Sequence, residues 1–218
     1  MPGAVVIGAG PGIGAAVARR FAREGMPIAL IGRNPAKLAE IEEATAPVVR
    51  LAADAADETA LRGALDAAAA EFGVPDAVIY NAALVRPDRV GELSAREQLD
   101  AWAVNVGGAL TAAARVAPDM ARRGSGTFIV TGGMPEPKPE YVSLSLGKAG
   151  VRTLVTLLDQ EYGPSGVHAA SVTVDGPVAP GTFFDPDRIA EHYWRLHVQP
   201  RGEWQREIVH TPGQVAPG

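Results

Sequence analysis

Two stretches hold residue types whose spacing suits chemistry. The first is Gly8-Ala9-Gly10-Pro11-Gly12-Ile13-Gly14, which follows the apolar run 4–7 and leads into a helical pattern. A strand that feeds a glycine-rich turn and then a helix brings backbone amides close to a phosphate at the positive end of the helix. Gly8, Gly12 and Gly14 permit the tight turn and the close approach, and Gly10, Pro11 and Ile13 complete the loop. Taken alone, the same pattern also describes a strand–helix turn that binds nothing. The second stretch is EYVSLSLGKAG, residues 140–150, in which Lys148 interrupts a strongly apolar helix. A lysine is rarely buried without a partner, so Lys148 needs either an acceptor or a route to solvent.

Short apolar runs alternate with helical patterns from end to end. Residues 4–7, 27–31, 47–51, 76–80, 127–131 and 168–174 read as buried strands, and 207–210 as a weaker seventh. Helical patterns lie near 13–24, 35–44, 57–71, 94–116, 142–162 and 185–197. Ile13, Ala16, Val17 and Phe21 share one face of the first, and Gly25 can end it. Asn34-Pro35 places a cap residue before a proline suited to the first helical position. Ser94-Ala95-Arg96-Glu97 is a capping box, and Gly163-Pro164 closes the long helix after Tyr162. This alternation predicts an α/β fold, a doubly wound sheet of about seven mainly parallel strands with helices on both faces. Ligands of such sheets bind at the C-terminal ends of the strands. The three alternating prolines of MPEPKPE, 134–140, suggest a stiff loop over that edge.

At 218 residues and 47% apolar composition the chain reads as one domain, 1–218, with a substantial core. A net charge of −5 argues against a nucleic-acid-coating surface. No cysteine and no HExxH among four histidines argue against a metal site. No secretory pattern and no run of about 20 apolar residues argue for a cytoplasmic chain away from the membrane.

The spacing Gly8-x-x-x-Gly12-x-Gly14 resembles that of the short-chain dehydrogenase/reductase family, and the resemblance extends over nearly the whole chain. Asp54 matches the family's adenine-contacting aspartate. Asn81-Ala82-Ala83 resembles its NAG motif beside the cofactor, Asn105 its helix asparagine, and Lys148 the lysine of its YxxxK motif. The resemblance implies a Rossmann-type fold, a dinucleotide cofactor and a small-molecule substrate. It also implies that Lys148 anchors the nicotinamide ribose and that Val178, in the turn Asp175-Gly176-Pro177-Val178, meets the carboxamide. After the second strand stands Gly32-Arg33-Asn34 with no acid, so Arg33 favours NADP(H), with NAD(H) the second choice. A solvated turn arginine is the bland alternative, and Pro11 stands where NADP-binding relatives often carry a second cation.

The catalytic pattern is incomplete. In relatives a tyrosine donates the proton, the lysine assists it, and a serine binds the substrate oxygen. Here the tyrosine position reads Leu144, and the serine position falls on Gly132 or Gly133. Asn105 and Lys148 remain. Tyr141 is the candidate substitute, since helical continuation would set it about 20° from Lys148 around the axis and about 10.5 Å along it. Ser145 and Thr131 are the other hydroxyls nearby, and local packing or capping is the plain reading of all three.

Relatives carry a long substrate cover after the sixth strand; here only a short substrate-side segment, about 175–205, replaces it. Phe183, Phe184, Tyr193 and Trp194 are candidates to line a pocket, with ordinary packing expected for at least two. The apolar circumference of helix 142–162 predicts a homodimer or homotetramer. Three functions fit: an atypical NADP(H)-dependent oxidoreductase acting on a carbonyl, imine or related substrate; a non-catalytic dinucleotide-binding sensor or partner; and a non-redox isomerase or cyclase. The first leads because Asn105 and Lys148 persist where the acid does not.

Overall fold

The computed structural model describes residues 3–41 and 46–212. Seven parallel strands form one sheet in the order β3-β2-β1-β4-β5-β6-β7. They are β1 (Ala4–Ile7), β2 (Ile28–Gly32), β3 (Val48–Ala52), β4 (Ala77–Tyr80), β5 (Gly126–Gly133), β6 (Val167–Val174) and β7 (Glu207–His210). The doubly wound expectation holds, and each expected strand lies within a residue or two of its place. Both faces are covered, so the strands are runs of apolar residues rather than alternations. Ala4, Val6, Ile28 and Leu30 face α1 (Ile13–Ala22) and α7 (Pro186–His197). Val5, Ile7, Ala29 and Ile31 face α3 (Glu58–Phe72), α5 (Gly108–Arg123) and α6 (Val142–Tyr162). Chain order reverses between β1 and β4, which opens a crevice above the C-terminal ends of those two strands.

Caps read from sequence close as expected. The Asn34 side chain accepts from the Ala36 and Lys37 amides at the start of α2 (Pro35–Ala39). Ser94 and Glu97 form the reciprocal box that starts α4 (Ala95–Trp102). Of the second helix, expected over 35–44, residues 42–45 lie outside the described ones. The expectation of one helix over 94–116 needs correction. The run continues to Arg123 but passes through a π-helical turn, Ala103–Gly107, between α4 and α5. It also carries Pro118 within α5, and it ends where Gly124 adopts φ 82°. Gly108, just past the π turn, lets the helix sit against Tyr80, whose hydroxyl donates to the Val104 carbonyl at 2.5 Å. Wide turns of this kind cluster at functional sites, and this one presents Asn105.

The segment after β6 joins the core through one face of α7. Tyr193 is fully buried, and Trp194 packs edge-on against Phe21 of α1 with ring centroids 5.2 Å apart. Both belong to the packing of α7 on α1 and the sheet. Phe184 covers Gly176 and Phe183 stacks on His210, so these two pack the short connection itself. Among the described residues no helix is long and apolar enough to cross a membrane.

Candidate dinucleotide site

The glycine loop divides its labour. Gly8 has φ 83°, and a Cβ there would lie 2.3 Å from the Ala82 amide nitrogen, so β1 and the β4 exit close on each other only through glycine. A Cβ at Gly14 would meet the Gly8 carbonyl oxygen at 2.8 Å, which sets how tightly α1 approaches β1. Gly10 and Gly12 face open space instead, with nothing within 4 Å of an added Cβ. No side chain caps α1 and no acid stands in its first turn. The helix start is therefore bare toward the crevice, as an anion site requires.

Beside the loop lies a cleft of about 370 Å³ between the ends of β1, β2, β3 and β4. Its walls include Gly8, Arg33, Asp54 and Asn81 through Ala83. Lys37 also lines it, a residue that sequence reading missed. The signal was present, since Asn34-Pro35 starts a helix and Lys37 stands in its first turn, four residues after Arg33. Asp54 accepts from the Ala56 amide at 2.9 Å and remains exposed at the rim. Asn81 Nδ2 donates to the Gly8 carbonyl at 2.9 Å, which ties the β4 exit to the loop.

Asn81 in turn belongs to a buried chain. Thr131 Oγ1 donates to Asn81 Oδ1 at 2.8 Å and lies 2.7 Å from the Tyr193 hydroxyl, which therefore donates to it. Burial holds the Tyr193 phenol above its ordinary range, so it stays a neutral donor. The Thr131 carbonyl meanwhile accepts from Lys148 Nζ at 2.6 Å. Lys148 thus has a partner within the protein, and two of its three donor positions remain.

Lys148 is 8% exposed, and its pKa falls to about 8, chiefly through burial and then through the charge of Arg152. The sign follows. Between about 8 and 10.5 the unfolded chain holds this proton more firmly than the folded one, so stability rises with pH across that window. Relative to Lys148→Met, the wild type is expected to gain on the order of 2 kcal/mol from the lower to the upper end of it. Urea midpoints of both chains at both ends measure this, and a constant difference would contradict a buried ammonium.

Arg152 Nη1 donates to the Gly133 and Met134 carbonyls at 3.0 and 3.2 Å, and Met134 takes φ 47°. The chain turns sharply off β5 under that clamp. The two candidate serine positions separate here. A Cβ at Gly132 would lie 2.2 Å from Thr173 Oγ1, whereas one at Gly133 would make ordinary contact with Lys148 Cε at 3.6 Å. Gly133 is the position that faces the lysine.

Leu144 is 4% exposed on α6, one turn before Lys148. The substitutes proposed from helical geometry need correction. Tyr141 is the cap residue, with φ −143° and ψ 56°, so the helical phase that aligned it with Lys148 does not extend to it. Instead it pairs with Asp88 through a backbone bridge. Ser145 Oγ is bound to the Lys138 backbone, and the Thr131 hydroxyl points into the Asn81–Tyr193 chain rather than toward Lys148.

Asn105 Oδ1 accepts from the Leu84 amide at 2.8 Å, while its Nδ2 is buried and unpartnered among the described residues. Gly147, where a Cβ would lie 2.6 Å from Asn105 Cβ, brings α6 against it immediately before Lys148. Asp88 was missed from sequence. Its buried carboxylate accepts from the amide and hydroxyl of Ser143, at 3.0 and 2.8 Å for the nearer contacts, and so caps α6 from a distant loop. Val178, at 40% exposure, stands free in the turn after β6.

A bare helix start, glycines that open onto a crevice and a cationic cleft at the switch point define a nucleotide-binding α/β protein. The family model for short chain dehydrogenase matches residues 3–183, and the chain belongs to that family of NAD(P)-binding oxidoreductases. It is 29% identical over 217 residues to a D-threitol dehydrogenase of Mycolicibacterium smegmatis, covering 86% of this chain and 82% of that one. A short-chain dehydrogenase structure from Rhodopseudomonas palustris superposes with a TM-score of 0.87 at 28% identity, over 97% of this chain and 98% of the other. An alcohol dehydrogenase from the archaeon Thermococcus sibiricus, complexed with 5-hydroxy-NADP, superposes with a TM-score of 0.88 at 26% identity, over 100% and 99%.

Proposed function

We propose that the protein is an atypical NADP(H)-dependent oxidoreductase that moves hydride to or from a small carbonyl, imine or related compound. The observation that carries this reading is the cleft in which Arg33 and Lys37 stand together beside the glycine loop, with no acid at the end of β2. Two cations suit a 2′-phosphate, and an acid there would suit a bare 2′-hydroxyl. In this reading Gly8 through Gly14, with Pro11 and Ile13, hold the pyrophosphate against the start of α1. Asp54 and Asn81 through Ala83 wall the adenosine side, Lys148 donates its remaining protons to ribose hydroxyls, and Val178 offers its backbone to the carboxamide. Asn105 Nδ2 is a spare donor for water or substrate. The nicotinamide, when bound, supplies or takes the hydride.

The affinity ratio of NADPH to NADH tests the cofactor choice. NADPH is expected to bind at least about tenfold tighter, and Arg33→Ala/Lys37→Ala is expected to abolish that ratio while sparing NADH. Equal binding of both cofactors by the unaltered chain would overturn the preference.

A second reading, a dinucleotide-binding protein without catalysis, has one observation in its favour: Leu144 and Gly133 stand where proton donor and oxyanion partner belong, and neither has a functional group. Reduction of substrates that need no protein acid, such as iminium compounds, separates the two readings. We also propose that the chain assembles as a symmetric homo-oligomer, because Leu99, Trp102, Leu110, Leu146 and Leu157 stay about half exposed or more on α4, α5 and α6. Sedimentation as a monomer at micromolar concentration would contradict this.

A further inference from the structure

We infer that Arg152 is a positioning residue for Lys148, an inference that rests on the cofactor reading above. Arg152 occupies the carbonyls at the exit of β5 and so reserves the free Lys148 protons for the nucleotide. The two cations stand one turn apart on α6, the spacing at which like charges repel. Both reach the same strand end. Lys148 Nζ donates to the Thr131 carbonyl at 2.6 Å, and Arg152 Nη1 donates to the Gly133 and Met134 carbonyls at 3.0 and 3.2 Å. A Cβ at Gly133 would lie 3.6 Å from Lys148 Cε, so the turn that Arg152 holds is also the wall along the lysine stem.

That turn needs holding. Met134 is the non-glycine residue with positive φ among the described ones, at 47°. Backbone strain of this kind persists only where the surroundings enforce it, and the half-buried Arg152 guanidinium does so here. Released from it, the Gly133 and Met134 carbonyls would stand open beside Lys148, whose ammonium has two donor positions left. The backbone would then take protons that the ribose needs. Arg152 also sets the charge that Lys148 feels. Toward Lys148, β5 presents the Thr131 carbonyl, and β6 brings the Val174 carbonyl beside Gly133. The π-helical turn brings the neutral Asn105 against Gly147, and Asp88 at the start of α6 is spent on Ser143. Among the described residues Arg152 is the charge that, after burial, lowers the proton affinity of Lys148. A neutral donor could clamp the turn, so a cation one turn from a buried lysine marks a role beyond clamping.

Urea midpoints of the wild type, Arg152→Gln and Arg152→Lys across the alkaline range, each against its Lys148→Met partner, test this together with NADPH titrations of the same chains. In the wild type the midpoint difference is expected to begin changing at about pH 8. Arg152→Gln is shorter and neutral. Its onset is expected to move up by about half a pH unit or more, and NADPH to bind at least about threefold more weakly at neutral pH. Arg152→Lys, which keeps the charge and a donor, is expected to restore both. The urea curves themselves report that each variant is folded. An onset or an NADPH affinity in Arg152→Gln equal to that of the wild type would leave Arg152 a structural clamp and overturn the assignment. If the wild type binds no NADPH while the onset still follows the charge at position 152, the cofactor reading fails and the coupling of Arg152 to Lys148 stands.

Discussion

Gly133→Ser/Leu144→Tyr is expected to raise NADPH-dependent reduction of a small carbonyl compound by about 10²–10⁴-fold, the usual worth of a positioned general acid. Leu144 stands one turn before Lys148 on α6, and Lys148 is buried with its ammonium held at the end of β5. A phenol at position 144 would lie beside a cation that favours its ionised form. A hydroxyl at position 133 has room, because an added Cβ there makes only ordinary contacts with Lys148 and the Val174 carbonyl. Gly133→Ser alone is expected to do little, since it supplies no acid of suitable strength. The ring at 144 is larger than the leucine it replaces, at a site only 4% exposed, and overpacking costs about 1–3 kcal/mol. Melting curves and NADPH binding of the double variant therefore accompany the rate assay. A double variant that folds, binds NADPH and gains no activity would show that more than these two groups is missing.

The second large effect separates glycines that build the fold from those that open onto a ligand. Gly8→Ala forces a side chain into a left-handed backbone and to within 2.3 Å of the Ala82 amide and 2.5 Å of its Cα. Neither neighbour can yield, because Asn81 is tied to the Gly8 carbonyl and packed under Thr131. The expected loss is on the order of 4 kcal/mol, enough to unfold a marginal domain. Gly10→Ala meets nothing within 4 Å and is expected to leave the denaturation midpoint nearly unchanged while weakening NADPH binding several-fold or more. Paired denaturation curves and titrations check both halves. A stable Gly8→Ala, or a Gly10→Ala that binds NADPH as the wild type does, would contradict the division.

What could be read in the sequence follows a physical line. The glycine loop, the strand runs, the Asn34 cap and the Ser94–Glu97 box are local patterns, each set by a few adjacent residues, and all appear where expected. Lys148 was conspicuous because a lysine in an apolar helix is an inconsistency. Its actual partner was not legible, since the Thr131 carbonyl is brought to it by the packing of α6 on β5. The Asp88–Ser143 clip spans 55 positions and the Thr131–Tyr193 bond 62, so only the sheet order brings those residues together. Tyr141 shows the opposite error. The helical phase begins at Val142, and at the cap the backbone departs from the geometry that would align Tyr141 with Lys148.

On the reading proposed above, this chain keeps a working NADP(H) cradle although Leu144 stands where relatives carry the proton donor. Fluorescence titration of the full-length chain with NADPH tests it most directly. Saturable binding well below millimolar, weakened by Lys148→Met, is the expected result; no saturation up to millimolar NADPH would contradict the account.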